Sequence, residues 1–387
     1  IVLKLIFHPV LLFATENQSI NNELDSILQK QINTLDLEEP EKVLKELKVE
    51  SKNPYLENFN LKQTMVDLIK GKQSITPLQI VKGVLNLAFG EINIYFVLMG
   101  KLIILSIFCT VLSTLSVSFQ SKSTSQVAFY ICYIVLIIAL TESFLISIDI
   151  AQTAIDQMSM TMHASLPVMI TLLISTGNIA SGGVFQPIVI SSIQIATAII
   201  RNIVLPLVFF VSVIQIVSNI SEEFKIQKFV DLAYLSIKWT LRGLVVLFVG
   251  VMSIYGLTTP YLDGTINKTA KSMMETLVPV VGDALSGTVD LIINCGVLVK
   301  NSYTIGVIIM LFLICAIPLI KVFLCMLVYQ VTSAVIEPIS DKRIANCMSG
   351  MGKATSYLLG TLSTVMILFV LNMLILIGVG NVTAMMR

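Results

Sequence analysis

Histidine, tryptophan and charge are all scarce in this chain. Its 387 residues include two histidines, one tryptophan and 13% charged residues, against roughly 25% charged in a soluble domain. With only His8 and His163 available, neither an HExxH motif nor a histidine-rich metal site can be assembled. The cysteines, Cys109, Cys132, Cys295, Cys315, Cys325 and Cys347, contain no CxxC pair. They read as small buried apolar side chains rather than redox or zinc ligands. Neither sign of charge is in excess, because 25 basic and 24 acidic residues leave a net charge of +1. The basic residues form no stripe, so nothing points to nucleic acid.

What is abundant is apolar surface. Hydrophobic residues make up 55% of the chain, and the mean hydropathy is +0.88. The charge is also unevenly placed, since 12 of the 24 carboxylates fall in residues 1–91. An integral membrane protein with a polar N-terminal piece follows.

The opening IVLKLIFHPVLLFATE has a lysine, a short apolar core and the small Ala14. It is too short to span a bilayer and has the form of a signal-peptide remnant over residues 1–14, with an uncleaved anchor as the competing reading. Residues 15–60 are acidic and poor in aromatics, which predicts a flexible or loosely helical extracytoplasmic region. Over residues 61–91 the pattern turns amphipathic, with Met65, Leu68 and Ile69 on one helical face and a restart after Ser74 and Pro77.

Apolar runs of spanning length occur near 102–119, 127–149, 202–220, 239–259, 303–333 and 355–380. Two further regions, 161–200 and 277–300, are long enough to enter the bilayer but are interrupted by Gly, Pro and charge. The expected fold is an all-α polytopic membrane protein of about eight membrane segments (range roughly six to ten), two of them broken or re-entrant. Lys122, then Lys225, Lys228 and Lys238, then Lys342, Arg343 and Lys353 mark three cytoplasmic loops, which places the N-terminal region outside. With an offset of 112 residues, Pro167 falls on Pro279 and Pro206 on Pro318. Two parallel repeat units are therefore expected, 127–238 and 239–354, preceded by a first transmembrane helix and loop over 92–126 and followed by a last helix and tail over 355–387.

The stretch SLPVMITLLISTGNIASGGVFQP, residues 165–187, carries the first interruption. Pro167 removes a backbone donor, while Gly177, Asn178, Ser181, Gly182 and Gly183 permit turns and expose polar groups. Its length before the glycines, about 15 Å of helix, suits a half-membrane or re-entrant element. The counterpart TLVPVVGDALSGTVDLI supplies Pro279, Gly282, Asp283, Ser286, Gly287 and Asp290, with Asp283, Ser286 and Asp290 on one helical stripe. Among other intramembrane polar groups, Glu142, Arg201 and Lys321 have the longest apolar flanks. For each, snorkelling or a helix-helix hydrogen bond is the plain alternative to a functional role.

Catalytic signatures fail on specific residues. SGMGKAT at 349–355 resembles a phosphate loop, but Cys347 stands where the first glycine belongs and Ala354 replaces Ser or Thr. Ser181 sits in IASG rather than GxSG, and Asp283 in VVGD rather than GxGD, so intramembrane proteolysis lacks its motifs. No enzyme, metal or cofactor is expected.

LIKGKQSITPLQIVKGVLNLAFGEI, SLPVMITLLISTGNIASGGVFQPIV, RNIVLPLVFF, TLVPVVGDALSGTVD and the terminal VGNVTAMMR occur in this order over residues 61–387. Together they resemble the stage III sporulation protein AE family of endospore-forming bacteria. The resemblance implies a polytopic protein of the mother-cell membrane around the forespore. It further implies a channel or export-platform component of the transenvelope complex required for endospore formation. Implied partners are other stage III sporulation proteins, including a secretion-type ATPase and ring-forming proteins; the lipid bilayer and further copies of the chain are also expected. The family brings no catalytic residues to carry over. The alternative reading is a secondary transporter or permease for a small solute, with its site at the broken helices.

Overall fold

A computed structural model describes residues 27–50, 54–71, 77–118, 122–219, 227–277 and 282–385. All regular structure among them is helical. Residues 27–34 form a first short helix, followed by α1 (Glu38–Glu50), α2 (Pro54–Glu57) and α3 (Leu61–Ile69). The long elements are α4 (Pro77–Ser118), α5 (Lys122–Ser175), α6 (Ile179–Ile199), a π-helical turn (Ile200–Val204), α7 (Leu205–Ser218), α8 (Gln227–Leu277), α9 (Gly282–Ile336) and α10 (Lys342–Met385).

Six stretches are long and apolar enough to cross a membrane: Asn86–Leu112, Tyr130–Ser175, Ile179–Ser218, Gln227–Gly256, Leu291–Ile336 and Lys342–Val379. Six lies at the lower end of the expected range of roughly six to ten, and the two ambiguous regions continue neighbouring helices. Residues 161–175 complete α5, residues 179–200 open the returning arm, and residues 282–300 begin α9. Pro167 is exposed inside α5 rather than at its end. The helix continues through it because Leu166 and Met169, on the opposite side, are fully buried and hold both halves in place. A proline between two well-packed halves bends a helix instead of ending it.

At 54 residues α5 is about 80 Å long, well beyond the roughly 30 Å hydrocarbon core. Much of the long bundle therefore lies outside the bilayer. α9 forms the centre, with half of its apolar window buried inside the protein, against 17% for the peripheral α4. α10 packs along α9, while α5 and α4 close its other sides and α8 lies against α10, α7 and α6. Hydroxyls of Ser106, Thr355 and Thr361 donate to carbonyls four residues back, at 2.7, 2.8 and 2.8 Å, which satisfies them inside the apolar interior.

Contacts fix which ends lie together. Thr110 bonds Ser340 at 2.9 Å near the α9–α10 connection. At the opposite end, the α5–α6 turn meets α9, with Thr176 Cγ2 3.0 Å from the position of a Cβ on Gly296. The N-terminal helices sit toward this second end: Gln31 donates to the Ile292 carbonyl at 3.2 Å, and Leu61 Cδ1 lies 2.8 Å from a Cβ position on Gly306. The short helices within residues 27–50 and 54–57 are packed, since Leu28, Ile32, Leu47 and Leu56 join the bundle core. Asn60 caps α3 by accepting from the Gln63 amide at 3.0 Å. α4 begins at Pro77 and runs unbroken into the first apolar stretch. The signal-peptide remnant and Pro279 lie outside the described residues.

Candidate functional site: an aspartate-locked hairpin turn

The interruption in SLPVMITLLISTGNIASGGVFQP is one tight turn between α5 and α6. Gly177 has φ of 78°, the left-handed conformation that L side chains avoid. Its amide donates to Ile174 at 2.9 Å, and the Asn178 amide to Leu173 at 3.1 Å, the pair of bonds of a Schellman termination. Asn178 then holds the N-cap position of α6, buried, with its amide group donating to the Thr176 hydroxyl at 2.8 Å.

Gly182 lets the two arms close. A Cβ there would collide with Ile174 Cγ1, so α5 and α6 approach directly at this point. Gly183, one residue on, is exposed with open space in front of it.

Asp263 on α8 fastens the turn. It is 1% exposed. Its Oδ1 accepts from the Ala180 amide at 2.8 Å and its Oδ2 from the Ser181 amide at 3.1 Å. The Ser181 hydroxyl donates to Oδ2 as well. A buried carboxylate costs several kcal/mol unless its lone pairs are filled. Three donors and the positive end of the α6 dipole supply that compensation. The group pins the first turn of α6 to a helix more than 80 residues away in sequence.

A second polar layer lies beside it. Lys300 on α9 is fully buried, with Nζ 3.3 Å from the Ile377 carbonyl on α10. Among the described residues it has no carboxylate partner. Asn301 donates to Asn381 at 3.2 Å, Tyr303 to the Ser165 carbonyl at 3.2 Å, and Thr304 to the Lys300 carbonyl at 2.8 Å. α5, α9 and α10 are thereby tied together one helical turn from the Thr176–Gly296 contact.

The remaining predicted residues are dispersed. Gly282 opens α9, and Asp283, Ser286, Gly287 and Asp290 lie in its first turns, their side chains outside the described set. Arg201 sits in the π-helical turn, 3.3 Å from Asp156. That turn precedes Pro206, whose missing N–H cannot close an ordinary α-helical bond. Lys321 pairs with Glu91 at 3.3 Å. Glu142 is exposed and bonds no other described residue. Sequence reading missed Asp263 and Lys300, although TTPYLDGT and VLVKNSYT each show a lone charge at the edge of an apolar run. No group of three or more metal-ligating residues occurs among the described residues. Ser181 is committed to a carboxylate, and His163 lies a dozen residues back along α5, about 18 Å by helical rise. The arrangement holds helices in register.

The family model for stage III sporulation protein AE matches residues 59–380. The chain belongs to that family. Stage III sporulation protein AE of Bacillus subtilis (strain 168) is 31% identical over 328 residues, covering 84% of this chain and 82% of the relative. No solved structure matches it. The match to the stage III sporulation protein AE model starts one residue before the α3 cap and ends within α10. It therefore includes the turn, Asp263 and Lys300, and leaves residues 27–57 outside. The six apolar helices and this membership make the chain a multi-pass membrane protein with a role in sporulation.

Proposed function

We propose that this member of the stage III sporulation protein AE family is a membrane-embedded channel or export-platform component of the mother cell–forespore complex, lying in the mother-cell membrane with its N-terminal helices outside the cytoplasm. One observation carries the reading: within their apolar stretches the helices keep a buried lysine, Lys300, and a buried asparagine, Asn372, with the buried Asp263 at the hairpin end. Ionisable groups at such depth are costly and mark function by default. The basic residues near the α4–α5, α7–α8 and α9–α10 connections support a cytoplasmic placement of that end.

In this role the chain is a platform without catalytic activity of its own. The secretion-type ATPase of the same sporulation system supplies energy, and ring-forming proteins dock on the outer side, where the packed helices of residues 27–71 offer a firm surface. Replacing the Bacillus subtilis relative with this chain, and then with Lys300→Met or Asp263→Ala variants, tests the reading through heat-resistant spore counts. Complementation by the unaltered chain and its loss in folded variants are expected. Unaltered spore counts with both variants would remove the buried polar core from the mechanism.

A further inference from the structure

Two faces of the apolar bundle carry charges that no other described residue neutralises. On α5, Glu142 and Asp149 are exposed, in line with the exposed Ile138 and Ile146. They lie seven residues apart, two turns, so both project from one side. Neither bonds another described residue. On α8, Lys228, Lys238 and Arg242 are exposed around Trp239, which is 66% exposed, and likewise have no carboxylate partner among the described residues. These positions fall along the apolar stretches Tyr130–Ser175 and Gln227–Gly256, with Lys228 and Lys238 toward the end read as cytoplasmic, so each charge is flanked by exposed apolar side chains that a partner surface would cover.

The two faces match in depth as well as in sign. Ser143 bonds Tyr329 at 2.6 Å, Gly352 packs against Tyr329, and Lys353 reaches Asp231 at 3.6 Å and covers the Tyr234 ring. This chain of contacts puts residue 143 of α5 and residues 231–234 of α8 in one layer. Both helices run in the same direction from it. By a rise of about 1.5 Å per residue, Asp149 lies about 9 Å above the layer and Lys238 about 8 Å above it. Glu142 falls between the depths of Lys228 and Lys238. α5 packs on α9, α4, α6, α10 and α1, whereas α8 packs on α10, α7 and α6, so the two faces belong to different helices that share α6 and α10 as neighbours.

We propose that the α5 face of one copy docks on the α8 face of a second, Asp149 against Lys238 and Arg242, in a head-to-tail assembly within the membrane. Two different patches in contact make the interface heterologous, which generates a ring where the rotation closes. Opposite charges set the register, and Trp239 and the flanking isoleucines supply the apolar contact. The inference stands apart from the export role, because self-association is read on purified protein.

The test uses the full chain in lipid nanodiscs and detergent, with self-association followed by energy transfer between differently labelled copies. Unaltered protein should associate. Asp149→Lys or Lys238→Glu alone should weaken association by about ten-fold or more, and the double exchange in one chain should restore most of it, the behaviour of a direct charge pair. Asp149→Asn and Lys238→Gln, which keep size and remove charge, should weaken it less than the reversals. Helical circular dichroism identifies variants that fail to fold, and the rescued double exchange then decides. A monomeric unaltered chain, single reversals without effect, or a double exchange no better than the singles would each overturn the proposal.

Discussion

Asp263 shows how a single residue is made tolerable in an apolar protein. Its two oxygens are filled by two amides and a hydroxyl of the same helix start, so Asp263→Ala should leave those donors bare and cost about 1–3 kcal/mol, read as a lower thermal midpoint in detergent. Lys300 is the opposite case, a buried amine with one long bond and no carboxylate partner among the described residues. Lys300→Met should therefore leave thermal stability unchanged or raise it, because an apolar replacement removes a desolvation cost. A clear fall in midpoint would show that the ammonium holds the core together. Gly182→Ala should cost about 1–3 kcal/mol through overpacking against Ile174, and a paired Ile174→Ala should recover part of it. Asp341, in the connection between α9 and α10, adds a pH dependence. Burial alone would raise its carboxyl, but hydrogen bonds and charge from Arg343 outweigh burial and hold it below the ordinary carboxylate value. A depressed folded-state value means the stabilisation is complete above the ordinary carboxylate range and is lost as pH falls through that lower value. Asp341→Asn should flatten the acid limb of the stability profile measured by thermal melts.

At the scale of elements, the α5–α6 hairpin turns on Gly177. Gly177→Ala forces an L side chain into the left-handed region and should cost about 1–2 kcal/mol, whereas Pro167→Ala should be neutral or stabilising because α5 is continuous there. Melting both variants side by side checks the assignment of the break. Much of this was legible from local chemistry. Glycine and asparagine at 177–178 marked a turn, Ser74 and Pro77 marked a helix restart, and the apolar runs located the spans. What could not be read was whether Pro167 ended a helix, since that depends on packing of Leu166 and Met169 by distant elements. Nor could periodicity place Asp263 beneath Ser181 or Lys300 beside Ile377, because those contacts join helices far apart in sequence. Composition likewise does not show which leucines before α3 are buried: Leu28, Leu47 and Leu56 reach the bundle core through contacts with distant helices.

For the whole molecule, the antiparallel order of the helices has one simple consequence. The α5–α6 turn and the α9–α10 connection belong to opposite ends of the bundle, separated by more than a bilayer. If each apolar stretch crosses the membrane, those two ends lie in different compartments. Single cysteines at the exposed positions Ile179 and Lys342, placed in a chain whose six cysteines have been replaced, can be probed in intact cells with a membrane-impermeant maleimide. Labelling of position 179 from outside the cytoplasm, with position 342 labelled only after the membrane is opened, is the expected result. Labelling of both positions from the same side would mean that α5 and α6 re-enter rather than cross, and the six-crossing arrangement would have to be abandoned.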